Sequence, residues 1–182
     1  MDTINILSID PGTNMGITIF TVTVPNLEIV GIMTTVVDLS TMTHPDPMVD
    51  NLLLRTQVIQ DYIRGIMRTY QPRVLAMEAA FVNSRFPKSV MYLSQYIGAI
   101  SLTVTEMDPF IKIFNYPPKL VKKIMGGGKS NKDDMKDAVK KIPELTKFIN
   151  PEYITEHEVD SMSIGYTYIL EVRNNPVLLL MI

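Results

Sequence analysis

The sequence contains no cysteine, which excludes a disulfide framework and a thiolate-held zinc site and suits a reducing interior. No apolar run approaches the roughly 18 residues needed to cross a bilayer. The longest candidate, Val177-Leu178-Leu179-Leu180-Met181-Ile182, is far too short, so no membrane partner is expected. The opening Met1-Asp2-Thr3 lacks the basic start of a secretory signal. Internal repeats and low-complexity tracts are missing too. A basic excess is also missing: the formal charge is −2, which argues mildly against a polyanion partner. The distribution softens this. From Lys119 to Lys141 eight lysines face only Asp133, Asp134 and Asp137, a local balance of +5 that leaves −7 for the rest. Such a run reads equally as a solvated helical face or as a polyanion-facing patch beside an acidic pocket.

What is present is ordinary globular chemistry. With 182 residues, 46% apolar and 20% charged, the chain suits a single folded domain over 1–182. The β-branched run Ile4 to Ile9 stops at Asp10-Pro11-Gly12, and strand-like runs follow from Gly16 to Val24 and from Leu27 to Val37. These three predict a meander. After the breaker Thr43-His44-Pro45-Asp46-Pro47, apolar residues at helical spacing (Leu53, Ile59, Ile63, Ile66, Met67) predict a helix from about Met48 to Tyr70. A buried strand is expected from Arg73 to Met77, running into Glu78. A long helix should follow from about Lys88 to Thr105, then a short strand from Ile111 to Phe114. Pro117-Pro118 suits the first turn of a helix. Gly126-Gly127-Gly128 breaks the chain, Asn131 is placed to cap the next helix, and Pro143 should end it. A last helix is expected from about Thr155 to Arg173. The order predicts an α/β fold: a five-stranded mixed sheet, three antiparallel strands plus two parallel ones, with helices on both faces.

Three acids stand out by position. Asp10 ends the first strand, Glu78 ends the fourth, and Asp160 lies in the apolar segment Val159-Asp160-Ser161-Met162-Ser163-Ile164. A carboxylate so poorly solvated needs a partner or a cation. Carboxylates at neighbouring strand ends converge, and clustered hard oxygens suit Mg²⁺ or Mn²⁺. On spacing alone, Asp10 and Asp160 serve equally well as turn or capping acids. His157, three residues before Asp160, shares its helical face, as does Glu156. His157 is a candidate for a second ion or for orienting a water. Two look-alike motifs fail. A phosphate loop ending at Gly128-Lys129-Ser130 requires glycine where Lys123 stands, and a zinc-protease signature starting at His157-Glu158 requires histidine at Ser161.

These segments together resemble the RuvC family of Holliday-junction resolvases. Ile6-Leu7-Ser8-Ile9-Asp10-Pro11-Gly12-Thr13-Asn14-Met15-Gly16 is similar to the family's first strand with its catalytic aspartate. Ala76-Met77-Glu78-Ala79-Ala80-Phe81 is similar to its glutamate segment, and Tyr92-Leu93-Ser94-Gln95-Tyr96-Ile97-Gly98-Ala99 to the helix that follows. Tyr116 to Lys122 and Gly126 to Lys132 resemble its basic DNA-contacting stretch, and Glu158 to Gly165 its final acidic helix. The likeness spans nearly the whole chain in the right order.

The resemblance implies an RNase H-like fold, a homodimer, and paired metal-dependent nicks across a four-way or other branched DNA. Two Mg²⁺ ions per site, replaceable by Mn²⁺, would act there. It makes Asp10, Glu78 and Asp160 catalytic metal ligands, joined by His157. Lys119, Lys122, Lys129 and Lys132 become DNA contacts, and Phe81 an aromatic that stacks on a base. Lys122 and Lys132 also fit as plain surface lysines, and Phe81 as core. Many relatives have aspartate where His157 stands, and Asp-Ala is usual where this chain has Asp160-Ser161. The divergence suits a phage-type member acting in the cytoplasm, the host's if phage-encoded. An RNase H-like nuclease of RNA–DNA hybrids and a junction-binding protein without turnover are the rival readings.

Overall fold

The computed structural model describes residues 2–46, 48, 50–80, 87–126 and 132–181. Five strands, β1 (Thr3–Asp10), β2 (Asn14–Thr23), β3 (Ile29–Asp38), β4 (Val74–Glu78) and β5 (Lys112–Tyr116), form one sheet in the order β3-β2-β1-β4-β5. β1, β2 and β3 pair antiparallel, while β4 and β5 run parallel to β1. The expected mixed sheet is what forms. Its helices are α1 (Asn51–Tyr70), α2 (Pro87–Met107), α3 (Pro118–Met125), α4 (Lys132–Lys140), α5 (Pro143–Thr146) and α6 (Glu156–Asn174), followed by a 3₁₀ turn at Pro176–Met181.

Alternation along the strands divides the core in two. Leu7 and Ile9 of β1, Ile17 and Ile19 of β2 and Leu75 and Met77 of β4 pack under α1 and α2, against Ile59, Ile63, Tyr96 and Ile100. Ile6, Phe20, Val22, Val74 and Ala76 face the other way, against α6 and the short helices. Helices therefore cover both faces.

Several boundaries differ from the sequence expectation, each for a local reason. α1 begins at Asn51 rather than near Met48, because the Asp50 carboxylate accepts from the Leu52 amide at 2.8 Å and caps the helix there. The buried residue of its first turn is then Leu52, and Leu53 is exposed. β3 begins at Ile29 rather than Leu27, because Leu27 sits in the preceding turn at φ 52°. Pro143 does not end α4, which stops at Lys140. It opens α5 instead, where a missing amide proton costs nothing. The apolar tail forms the 3₁₀ turn, and its Leu178 and Leu179 pack onto the core on the α6 side. Asn131, expected as a cap, lies outside the described residues.

α6 lies very close to the sheet. A Cβ added at Gly165 would fall 2.4 Å from Phe20 Cε2 and 2.6 Å from Ser8 Oγ. One added at Gly16 would fall 1.9 Å from the His157 carbonyl oxygen. Between these two contacts the buried Ser161 hydroxyl lies 2.8 Å from Thr18 Oγ1, which in turn lies 3.1 Å from Thr34 Oγ1. Hydroxyls can both donate and accept, so this short ladder satisfies groups that would otherwise be costly to bury.

Gly165→Ala should therefore cost about 1–3 kcal/mol by overpacking. Gly65→Ala on α1, where nothing lies within 4 Å of the new methyl, should be neutral or stabilising by up to about 1 kcal/mol. Urea unfolding of both variants tests this, and similar effects at the two sites would contradict the close-packing account.

Candidate active site

Asp10 and Glu78 are the last residues of adjacent parallel strands. Ile9 lies opposite Met77, so the two acids emerge side by side at the carboxyl edge of the sheet. Both follow the alternation of Ile6 and Ala76, which turns them to the α6 face. The first turn of α6 reaches the same edge. Its start is fixed by a capping box: the Glu158 carboxylate accepts from the Thr155 amide at 2.8 Å, and Thr155 Oγ1 accepts from the Glu158 amide at 3.3 Å. This sets His157 in the first turn, with Asp160 about one turn along.

His157 Nδ1 lies 3.5 Å from Asp10 Oδ2, and His157 Nε2 lies 3.7 Å from Glu156 Oε1. Glu78, Asp160 and Lys122 line one cleft of about 260 Å³, walled by Pro118, Val121, Met135 and Ile164. The electrostatics join the three acids. Burial, then the charge of Asp10, then that of Asp160, push the Glu78 carboxyl up to about 7, against a smaller opposing pull from Lys122. Near neutral pH a proton and a cation therefore compete for the same place.

Among the described residues, no three acidic or histidine side chains are gathered tightly enough to hold an ion as they stand. The fit lies in donor chemistry and charge: three carboxylates at one sheet edge repel one another, and a hard divalent cation relieves that repulsion. Of the remaining residues singled out in the sequence, Lys122 lines the cleft, whereas Lys119 is exposed on α3 and is not part of its lining. Phe81 and Lys129 lie outside the described residues. Lys132 opens α4, but its side chain lies outside them as well.

Sequence reasoning did not find the parts that seat the helix: Gly16, Thr18, Ser161 and Gly165. A signal existed. Ser161 and Gly165 stand four residues apart, two small residues on the same helical face as His157. Gly16 likewise stands among β-branched and large residues in a strand, which marks a close approach.

A sequence model described as crossover junction endodeoxyribonuclease RuvC matches residues 6–169. The RuvC protein of Methylobacillus flagellatus is 31% identical over 153 residues, covering 82% of this chain and 81% of its own. That of Sulfurovum sp. is also 31% identical, over 123 residues covering 66% of this chain and 73% of its own. Among solved structures, Thermus thermophilus RuvC in complex with a Holliday junction substrate superposes with a TM-score of 0.72 at 18% identity, covering 94% of this chain and 96% of that one. The yeast mitochondrial Holliday junction resolvase gives 0.60 at 14% identity, covering 93% and 81%. At those identities the structural likeness speaks for the fold, and it agrees with the RNase H-like arrangement expected from the sequence. The family match over residues 6–169 settles the affiliation: the chain belongs to the RuvC family of crossover junction endodeoxyribonucleases.

Proposed function

We propose that this chain is a structure-selective endonuclease that resolves Holliday junctions, and nicks other branched DNA, by hydrolysing phosphodiesters. The observation that carries the reading is the meeting of Asp10 and Glu78 at the carboxyl ends of adjacent parallel strands, with Asp160 and Lys122 lining the same cleft as Glu78, in a chain of this family. Thermus thermophilus RuvC, which shares this fold, is known in complex with a Holliday junction substrate, which supports the substrate class. Asp10, Glu78 and Asp160 are the residues that would hold Mg²⁺ or Mn²⁺, with two ions per site and His157 as fourth member. Bound there, the cations supply Lewis acidity and neutralise charge developing on the phosphate.

The chain's own residues do the rest. Lys122, at the cleft, binds a phosphate of the cut strand. His157, beside Asp10, orients the attacking water. The water oxygen bonds to phosphorus in line as the bond to the 3′ oxygen breaks, giving a 5′-phosphate and a 3′-hydroxyl. Lys119, Lys129 and Lys132 extend the contact along the backbone, and Phe81 stacks near the crossover. A two-fold homodimer of 1–182 units suits a junction, which offers two equivalent strands. The cytoplasm is the compartment that fits a cysteine-free DNA enzyme.

Labelled four-way junction, flap, linear duplex and RNA–DNA hybrid, each with Mg²⁺, Mn²⁺ or EDTA, test the reading. Symmetric nicks in the junction that vanish in EDTA are expected. Cutting of the hybrid alone, or junction binding without cleavage at any metal concentration, would transfer the case to a rival. Asp10→Asn, Glu78→Gln and Asp160→Asn should each lower the cleavage rate by at least about 10²-fold. A double Asp10→Asn, Glu78→Gln protein that still cleaves sinks the assignment.

Glu78 also predicts a stability signature. Its folded pKa, about 7, lies above the ordinary 4.5, so between those values the folded state binds the proton more tightly than the unfolded state. Stability is then full below 4.5 and declines as pH rises through 7. In EDTA, Glu78→Gln should match wild type below pH 4.5 and exceed it above pH 7, by at most about 3 kcal/mol. Mg²⁺ should stabilise wild type at alkaline pH and leave the variant nearly unmoved. Parallel urea curves for the two proteins at both pH values would contradict the coupling.

A further inference from the structure

Tyr153 is the most exposed aromatic side chain among the described residues, with 85% of its surface open to solvent. Single exposed apolar groups are common on proteins. This one differs in how and where it is held. The segment Asn150 to Thr155 turns the chain into α6, and bonds secure it throughout. The Tyr153 amide donates to the Asn150 carbonyl at 3.1 Å, and the Glu152 amide donates to Asn150 Oδ1 at 3.1 Å. Lys136 Nζ donates to the Ile154 carbonyl at 3.1 Å, and Thr155 caps α6. An ordered turn thus presents the ring to solvent.

The turn stands at the catalytic edge. Tyr153 is four residues before His157, which lies beside Asp10. On its other side, Lys136 follows Met135, a wall of the cleft that holds Glu78, Asp160 and Lys122. Of the neighbouring acids, Glu152 is paired with Lys140 at 2.9 Å, and Glu156 lies 3.7 Å from His157 Nε2. The ring thus stands on an ordered turn that leads directly into the helix bearing His157 and Asp160.

We propose that Tyr153 is a DNA-contact residue that stacks on a nucleobase exposed where strands part at a branch, an inference that rests on the nuclease reading above. In continuous duplex each base is covered on both faces, so a protein ring finds no partner. At a branch the stack is interrupted and a base face becomes available. Tyrosine suits this role because its flat ring has only two torsions to fix. The contact is indifferent to sequence, since every base has a π-face.

The test compares full-length wild type, Tyr153→Phe and Tyr153→Ala for affinity to a labelled four-way junction and to linear duplex of equal length, with Ca²⁺ replacing Mg²⁺. Tyr153→Ala should weaken junction binding by about tenfold and duplex binding by less than about twofold, with Tyr153→Phe close to wild type. Unchanged thermal midpoints would show that each variant remains folded. Equal junction affinity for Tyr153→Ala and wild type overturns the proposal, as does an equal loss on duplex. A Tyr153→Phe loss as large as that of Tyr153→Ala would assign the effect to the hydroxyl and overturn stacking. Wild type that binds no branched DNA overturns both the nuclease reading and this inference. Wild type that binds and cleaves beside an unaffected Tyr153→Ala overturns the inference alone.

Discussion

The site depends on the approach of α6 to the antiparallel half of the sheet. Two positions without a side chain permit it: Gly16 on β2, under the His157 carbonyl, and Gly165 on α6, against Phe20 and Ser8. Core side chains at either place would hold the helix farther out and carry His157 and Asp160 away from Asp10. A glycine in a strand or helix interior costs about 0.5–1 kcal/mol relative to alanine. Here that cost is offset by the buried face it allows, for α6 is buried without interruption from Ser161 to Ile169. The acidic edge is thus a consequence of packing, with the acids delivered by rigid elements and not by loops.

That arrangement sets a second, electrostatic problem. Three carboxylates brought to one edge repel one another, and burial, reinforced by the charges of Asp10 and Asp160, raises the Glu78 carboxyl toward neutrality. The net charge of −2 makes sense in this light. Part of the chain's acidity is concentrated where a hard cation would neutralise it, while the lysines gather on α3, α4 and the intervening segment. Whole-chain charge, which argued weakly against DNA, averages over a lysine-rich segment and an acidic remainder of the sequence and conceals both.

Much of this was legible in the sequence because the informative residues lie on strands with strong patterns. Asp10 and Glu78 each end an apolar run, and strand-end acids in an open sheet converge whatever the detailed loops. The five strands were visible for the same reason. Less legible were features decided by tertiary contact. The turn at Leu27, with its positive φ, looked like strand because the β-branched Ile29 and Val30 lie just beyond it. Pro143 read as a stop because proline ends helices as readily as it opens them. Glu156 and His157 could not be ranked by spacing, since both share a face with Asp160. The geometry puts His157 nearest Asp10, with Glu156 on its far ring nitrogen.

Ser161 shows how one departure from the family pattern is absorbed. Alanine is usual after the final aspartate, and a hydroxyl at a fully buried position would cost a few kcal/mol if left alone. Here it is not alone. Ser161 Oγ donates to the Glu158 carbonyl at 3.1 Å and meets Thr18 Oγ1 at 2.8 Å, while Thr18 reaches Thr34 on the next strand. The polar group thereby becomes directional. An alanine would let α6 slide along the sheet with little penalty, because apolar contact is insensitive to small shifts. A hydrogen bond at this distance is not, and a misplaced helix would lose the one bond that ties the Ser161 hydroxyl to the sheet. Since Asp160 is the adjacent residue, the Ser161–Thr18 bond, together with the close contacts at Gly16 and Gly165, helps to set where the helix-borne acid stands relative to the two strand-borne ones.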